Sequence, residues 1–146
     1  KDVLRRVLRW ESTVVQVRQL KSNANIGYGR KYTTHGPART AVVPVGYADG
    51  YRYQLANRAD VLIRGRRCPV RGAVSMDQIV VDITAAPQIV CGDTVTLIGL
   101  DGDLEITAEE LAEKAGTIPY DIFTGIGPRV CREYVYDKSP DIRQND

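Results

Sequence analysis

Apolar and polar positions change their rhythm near residue 12. Before it, Val3, Leu4, Val7 and Leu8, followed by Trp10, recur at helical spacing with Arg5, Arg6 and Arg9 on the other directions, which predicts a short helix or a connector. From Ser12 onward the period falls to two: Val15 and Val17 alternate with Gln16 and Arg18, and Leu20 closes a strand. Apolar runs predict further strands over residues 39–45, 61–63, 68–70, 79–83 and 94–99. Turn-forming stretches separate them at residues 21–25, 33–37, 57–60 and 85–93, and residues 64–67 read as a hairpin loop. One interior helix stands out, with Thr107 as N-cap, Glu110 completing a capping box, Leu111, Ala112 and Ala115 as its buried stripe and Gly116 as its stop. Residues 128–136 alternate less cleanly and predict a last strand, after which the composition turns polar. Six or more short strands with one helix, and no alternation of strand with helix, predict a mostly β domain, barrel or sandwich. The expected division is a connector or terminal helix or strand at 1–12, a β-rich domain at 13–137 and a polar tail at 138–146.

Composition narrows the function classes. With 146 residues the chain is one ordinary domain with room for a core. Twenty basic residues against 18 acidic ones leave a net charge of +2, which implies no nucleic-acid partner. The local strip Arg64, Arg66, Arg67 and Arg71 reads as a solvated turn rather than a binding patch. Cys68, Cys91 and Cys131 have no metal-ligand spacing and fit a reducing compartment. No run approaches the roughly 18 apolar residues of a membrane span and no signal peptide precedes Lys1, so the expectation is a cytoplasmic protein. The lone His35 excludes a histidine-based zinc site and reads as a surface residue; no metal site is expected. Neither a phosphate-binding loop nor a nucleophile elbow is present. Asp49 and Asp77 suggest a glycosidase pair only formally, because nothing in the sequence sets their separation.

The remaining chemistry is phenolic. Eight tyrosines against one Phe and one Trp imply that several hydroxyls meet polar partners, although from composition alone any single tyrosine reads more readily as a core-edge aromatic with a satisfied hydroxyl than as a catalytic group. Gly46-Tyr47-Ala48-Asp49-Gly50-Tyr51 follows the apolar run 41–45 and places two phenols and a carboxylate between glycines. This reads either as a tight turn packed on a sheet edge or as a rigid platform for a site. Gly27-Tyr28-Gly29 and Ser75-Met76-Asp77-Gln78 are similar polar clusters beside apolar strands.

The order Gly-Tyr-Gly, Val-Pro-Val-Gly-Tyr-Ala-Asp-Gly-Tyr, Val-Ser-Met-Asp-Gln, Gly-Asp, Ile-Thr-Ala-Glu-Glu-Leu-Ala, Gly-Thr-Ile-Pro-Tyr-Asp and Arg-Val-Cys-Arg resembles the carboxy-terminal domain of bacterial alanine racemases, from about Val14 to Tyr134. The resemblance implies a mostly β, barrel-like domain with one short helix. It implies pyridoxal 5'-phosphate as cofactor, attached to a lysine in an amino-terminal α/β barrel outside these residues. It also implies a head-to-tail homodimer in which this domain completes the site in the partner's barrel. Tyr28 matches the catalytic acid/base tyrosine opposite the cofactor lysine. Tyr47 matches a tyrosine lining access to the site, Met76 a methionine whose backbone holds the substrate carboxylate, and Asp77 lies in the same access region. Tyr120 matches a tyrosine that hydrogen-bonds the cofactor phosphate. Tyr53, Ala73, Gly127 and Cys131 depart from the usual family residues, the first two replacing arginines. The implied substrate is alanine. A serine racemase of the same family, or a non-catalytic interaction domain using the phenols and Met76 for docking, are the alternatives.

Overall fold

The computed structural model describes residues 5–136. Their strands are β1 (Trp10–Thr13), β2 (Gln16–Leu20), β3 (Asn25–Ile26), β4 (Tyr32–Thr33), β5 (Ala38–Val43), β6 (Asp60–Ile63), β7 (Arg66–Pro69), β8 (Ile79–Asp82), β9 (Thr94–Asp101) and β10 (Leu104–Ile106). Two helices follow, α1 (Ala108–Ala115) and α2 (Pro119–Gly125), and single 3₁₀ turns occupy Tyr28–Arg30, Tyr47–Asp49 and Tyr53–Leu55. The domain is mostly β.

All strand pairings are antiparallel among the described residues. One sheet runs β1-β9-β6-β7 with β10 also on β9, a second runs β2-β5-β8, and β3 pairs β4. The first two meet at both sides. At one side the chain changes sheet between Val14, whose N–H donates to Asp93 O at 2.9 Å, and Val15, whose N–H donates to Val42 O at 3.0 Å. At the other, Val70 bridges to Val81. The result is barrel-like without one continuous ladder. Ala41, Val43, Val61, Ile63, Val81, Val95 and Leu97 are fully buried, so the alternating residues of both sheets meet in one core. Arg64 and Gly65, with φ of 50° and 69°, make the two-residue turn joining β6 to β7, whose register pairs Ile63 with Arg66.

Three local expectations change. Residues 5–9 carry no regular structure and Trp10 opens a strand, not the end of a helix; Val3 and Leu4 lie outside the described residues. Pairing decides this, because Trp10–Thr13 hydrogen-bond to β9 and the buried indole packs edge-on against Tyr51 at 6.1 Å. That strand crosses the expected division at residue 12. Residues 128–136 form no strand: no neighbouring strand pairs with them among the described residues, and Tyr134, Val135 and Tyr136 are exposed. The expected polar tail lies outside the described residues. Finally, α2 adds a second short helix, opened by Pro119 in its first turn.

The expected cap of α1 is half formed. Thr107 Oγ1 accepts from Glu110 N–H at 3.1 Å, and Gly116 ends the helix in the left-handed conformation. The Glu110 carboxylate turns instead to Arg67 Nη1 at 2.7 Å and Lys114 Nζ at 2.8 Å.

Candidate active site

Past β5 the chain tightens into the turn Tyr47–Asp49. The nearly buried Asp49 closes it from within: its Oδ2 accepts from Gly46 N–H at 2.9 Å, and its own N–H donates to Gly46 O at 3.0 Å. The turn lies backbone to backbone on residues 75–76. Tyr47 N–H donates to Ser75 O at 3.0 Å and Ala48 N–H to Met76 O at 3.1 Å. A Cβ on Gly46 would stand 2.2 Å from Ser75 O, so only glycine permits this approach. Met76 O is therefore occupied, while Met76 N–H has no protein acceptor among the described residues.

Tyr28 reaches the same place from another direction. Its loop leaves β3 and is clamped to residue 72, where a Cβ would lie 2.5 Å from Ile26 O. Asn57 bridges the two, its Oδ1 accepting from Gly72 N–H at 2.7 Å and its Nδ2 donating to Lys31 O at 3.0 Å. Tyr28 itself is 79% exposed, so its hydroxyl is presented outward rather than spent on the core.

Together these segments line an open cleft of about 630 Å³: Tyr28, Tyr47, Tyr53 and residues 73–78. Four of the five residues singled out in the sequence, Tyr28, Tyr47, Met76 and Asp77, thus share one cleft. Tyr120 does not. It stands on α2, exposed and outside the cleft lining, on a helix held by Arg52, whose Nη2 donates to Asp121 O at 2.5 Å and Asp121 Oδ1 at 2.7 Å. The formal pair Asp49 and Asp77 is no glycosidase dyad, because both carboxylates bind one guanidinium: Arg129 Nε lies 3.2 Å from Asp49 Oδ1 and Arg129 Nη2 2.6 Å from Asp77 Oδ1.

Sequence reading missed Asn57, Arg129 and Lys31 as parts of the site. Asn57 reads as an ordinary turn residue, and its φ of 58° is the only local mark of its special place. Lys31 and Arg129 act through partners 22 and 52 residues away, a separation that sequence spacing does not register. Lys31 Nζ hydrogen-bonds the hydroxyl of Tyr53 and sits 4.4 Å from its ring centroid, and Tyr53 meets Tyr47 edge-on at 6.4 Å. A phenol and a lysine thus stand where the resemblance led one to look for an arginine.

The family model for "Alanine racemase, C-terminal domain" matches residues 7–134. The chain belongs to this alanine racemase family. It is 47% identical over 131 residues to the alanine racemase of Halothermothrix orenii, a match covering 90% of this chain and 35% of that protein. Among solved structures, alanine racemase from Streptomyces coelicolor A3(2) aligns with a TM-score of 0.86 at 39% identity, over 92% of this chain and 35% of that one. The Bartonella henselae alanine racemase with covalently bound pyridoxal phosphate aligns with a TM-score of 0.82 at 34% identity, over 87% of this chain and 34% of that one. The chain spans about a third of the length of the curated relatives it matches.

The donor set of this racemase-family domain fits a supporting role toward such a cofactor. The exposed phenol of Tyr120 can donate one hydrogen bond to a phosphate. Among the described residues, those lining the cleft include the carboxylate of Asp77, and the nearby Lys31 and Arg129 are engaged with Tyr53 and with Asp77, so the cleft does not suit a phosphate dianion. Its phenols and free Met76 N–H suit a small zwitterion with a transferable proton.

Proposed function

We propose that this chain is the carboxy-terminal domain of a cytoplasmic, pyridoxal-phosphate-dependent racemase that interconverts L- and D-alanine. The observation that carries the reading is the convergence of Tyr28, Tyr47, Met76 and Asp77 on one open cleft, away from Tyr120. That separation suits a head-to-tail dimer: the cleft serves the partner's barrel, and Tyr120 serves the barrel of its own chain. Alanine is preferred over serine because the relatives described above are named for alanine.

Pyridoxal phosphate, when bound, supplies an electron sink that acidifies the Cα–H of the amino acid. Racemisation then needs proton carriers on both faces. Tyr28 Oη takes or returns the proton on one face, from a loop whose position Asn57 and Gly72 hold. Met76 N–H orients the substrate carboxylate. Tyr47 and Asp77 narrow the approach and select for a small substrate. Tyr120 donates to the phosphate. For Tyr28 to act as base, cations or hydrogen-bond donors of the assembled site stabilise its phenolate.

Tyr28→Phe in the full-length protein tests this. It removes the transferable proton and leaves the ring, so racemisation should fall about 10²–10⁴-fold in both directions, equivalent to about 3 to 5 kcal/mol in the barrier. Exchange of solvent deuterium from the opposite face should survive in one enantiomer, while Tyr47→Phe should mainly weaken substrate binding. A loss below about tenfold in either direction would assign the proton transfer to another group. The measurement is deuterium incorporation into each enantiomer, read by mass after chiral separation.

A further inference from the structure

Arg129 lies at the join between the two turns that build one wall of the cleft. Its Nε meets Asp49 Oδ1 at 3.2 Å and its Nη2 meets Asp77 Oδ1 at 2.6 Å. The other oxygen of Asp49 is already fixed by Gly46 N–H. One planar guanidinium therefore spans a nearly buried carboxylate beneath Tyr47 and an exposed carboxylate next to Met76. We propose that Arg129 is a positioning residue, holding the Tyr47 turn and the Met76–Asp77 turn in register so that the Tyr47 hydroxyl and Met76 N–H meet the substrate together. This rests on the racemase reading above.

A simpler role would be to neutralise Asp49 and nothing more. The two roles separate because a planar guanidinium holds two carboxylates from different edges in a fixed geometry, whereas a lysine ammonium, a point charge on a flexible stem, keeps the charge without fixing that geometry. The side chains of Arg129 and Asp77 are 50% and 62% exposed, so their ion pair adds little to global stability. Its consequence is local order. Tyr28 sits on a separately clamped loop, so the proton-transfer step is spared while substrate binding is not.

The experiment uses the full-length protein with Arg129→Lys, Arg129→Met, Asp77→Asn and the double variant Asp77→Asn/Arg129→Met. Steady-state kinetics in both directions is combined with hydrogen exchange of peptides spanning residues 46–50, 75–78 and 27–31. Arg129→Lys and Arg129→Met should raise KM about tenfold with kcat within about threefold, the pattern of lost binding rather than lost chemistry. Exchange should speed up in 46–50 and 75–78 and stay unchanged in 27–31. Asp77→Asn should raise KM, and adding it to Arg129→Met should change little further, because both remove the same bridge. Wild-type KM and exchange in Arg129→Lys would reduce the role to charge neutralisation and overturn the proposal. Faster exchange in all three peptides would do the same by showing general destabilisation. If Arg129→Met does not fold, Arg129→Lys decides, together with exchange of 46–50 in Asp77→Asn, which loss of a direct substrate contact by Asp77 would not move. If the unaltered protein does not racemise alanine, the racemase reading fails, and the exchange pattern alone still decides whether Arg129 orders the two turns.

Discussion

Phenols in this chain take two opposite environments, and single residues show why. Tyr28 is outward-facing, whereas Tyr51, only four residues after Tyr47, is fully buried against Trp10. Its hydroxyl has no hydrogen-bond partner among the described residues, and burial, reinforced by Asp60 and Glu110, pushes its ionisation well above the ordinary phenol value. A buried hydroxyl without a partner is a cost of about 1–3 kcal/mol. Tyr51→Phe keeps the ring contact with Trp10 and removes that cost, so it should leave stability unchanged or raise it by up to about 1 kcal/mol. Thermal unfolding of the two proteins is the check; a loss of more than about 1 kcal/mol would reveal a partner for the hydroxyl. Neighbouring sequence distinguishes these tyrosines poorly, since both stand beside glycine; the sheet that covers one and not the other distinguishes them.

At the scale of elements, α1 is joined to β6 and β7 by charge as well as by its apolar stripe. Arg67 and Lys114 both reach Glu110 and Asp60. The hydrogen bond from Arg67, with a second from Lys114, holds the Glu110 carboxyl below its usual value of 4.5. A depressed folded value means that the stability is fully present above the unfolded value and is lost as pH falls through the lower, folded one. Glu110→Gln should therefore lower stability at neutral pH by up to about 1 kcal/mol, the range of a solvent-screened network. Melting curves of wild type and variant should converge as pH drops below about 4.5. A gap that persists unchanged at acid pH would mean that packing, not charge, carries the contribution of Glu110. The capping-box pattern correctly located the start of this helix, through Thr107. It could not indicate that β7, reached only in the folded sheet, would compete for the glutamate.

For the molecule as a whole, the cleft is open, and the one amine near it among the described residues, Lys31, is engaged with the Tyr53 hydroxyl behind the lining. We expect the isolated 146-residue chain, mixed with alanine and pyridoxal phosphate, to show no racemisation above that of the cofactor alone, measured by circular dichroism of the amino acid. Clear turnover would mean that the domain holds a complete site. Local sequence determined most strands, because an alternating apolar run with turn residues at both ends has few other ways to bury itself. It also determined the start and stop of α1 and the motifs bearing Tyr28, Tyr47, Met76 and Asp77. Tertiary structure decided what those patterns leave free. Trp10 joined a strand because β9 offered hydrogen bonds and Tyr51 a surface, overriding a helical spacing. Residues 128–136, although alternating, found no strand to pair with among the described residues and made no strand. The cleft depended on close backbone approaches at Gly46 and Gly72 and on the bridges of Asn57 and Arg129. Those contacts join segments far apart in sequence, and only packing determines which distant groups meet.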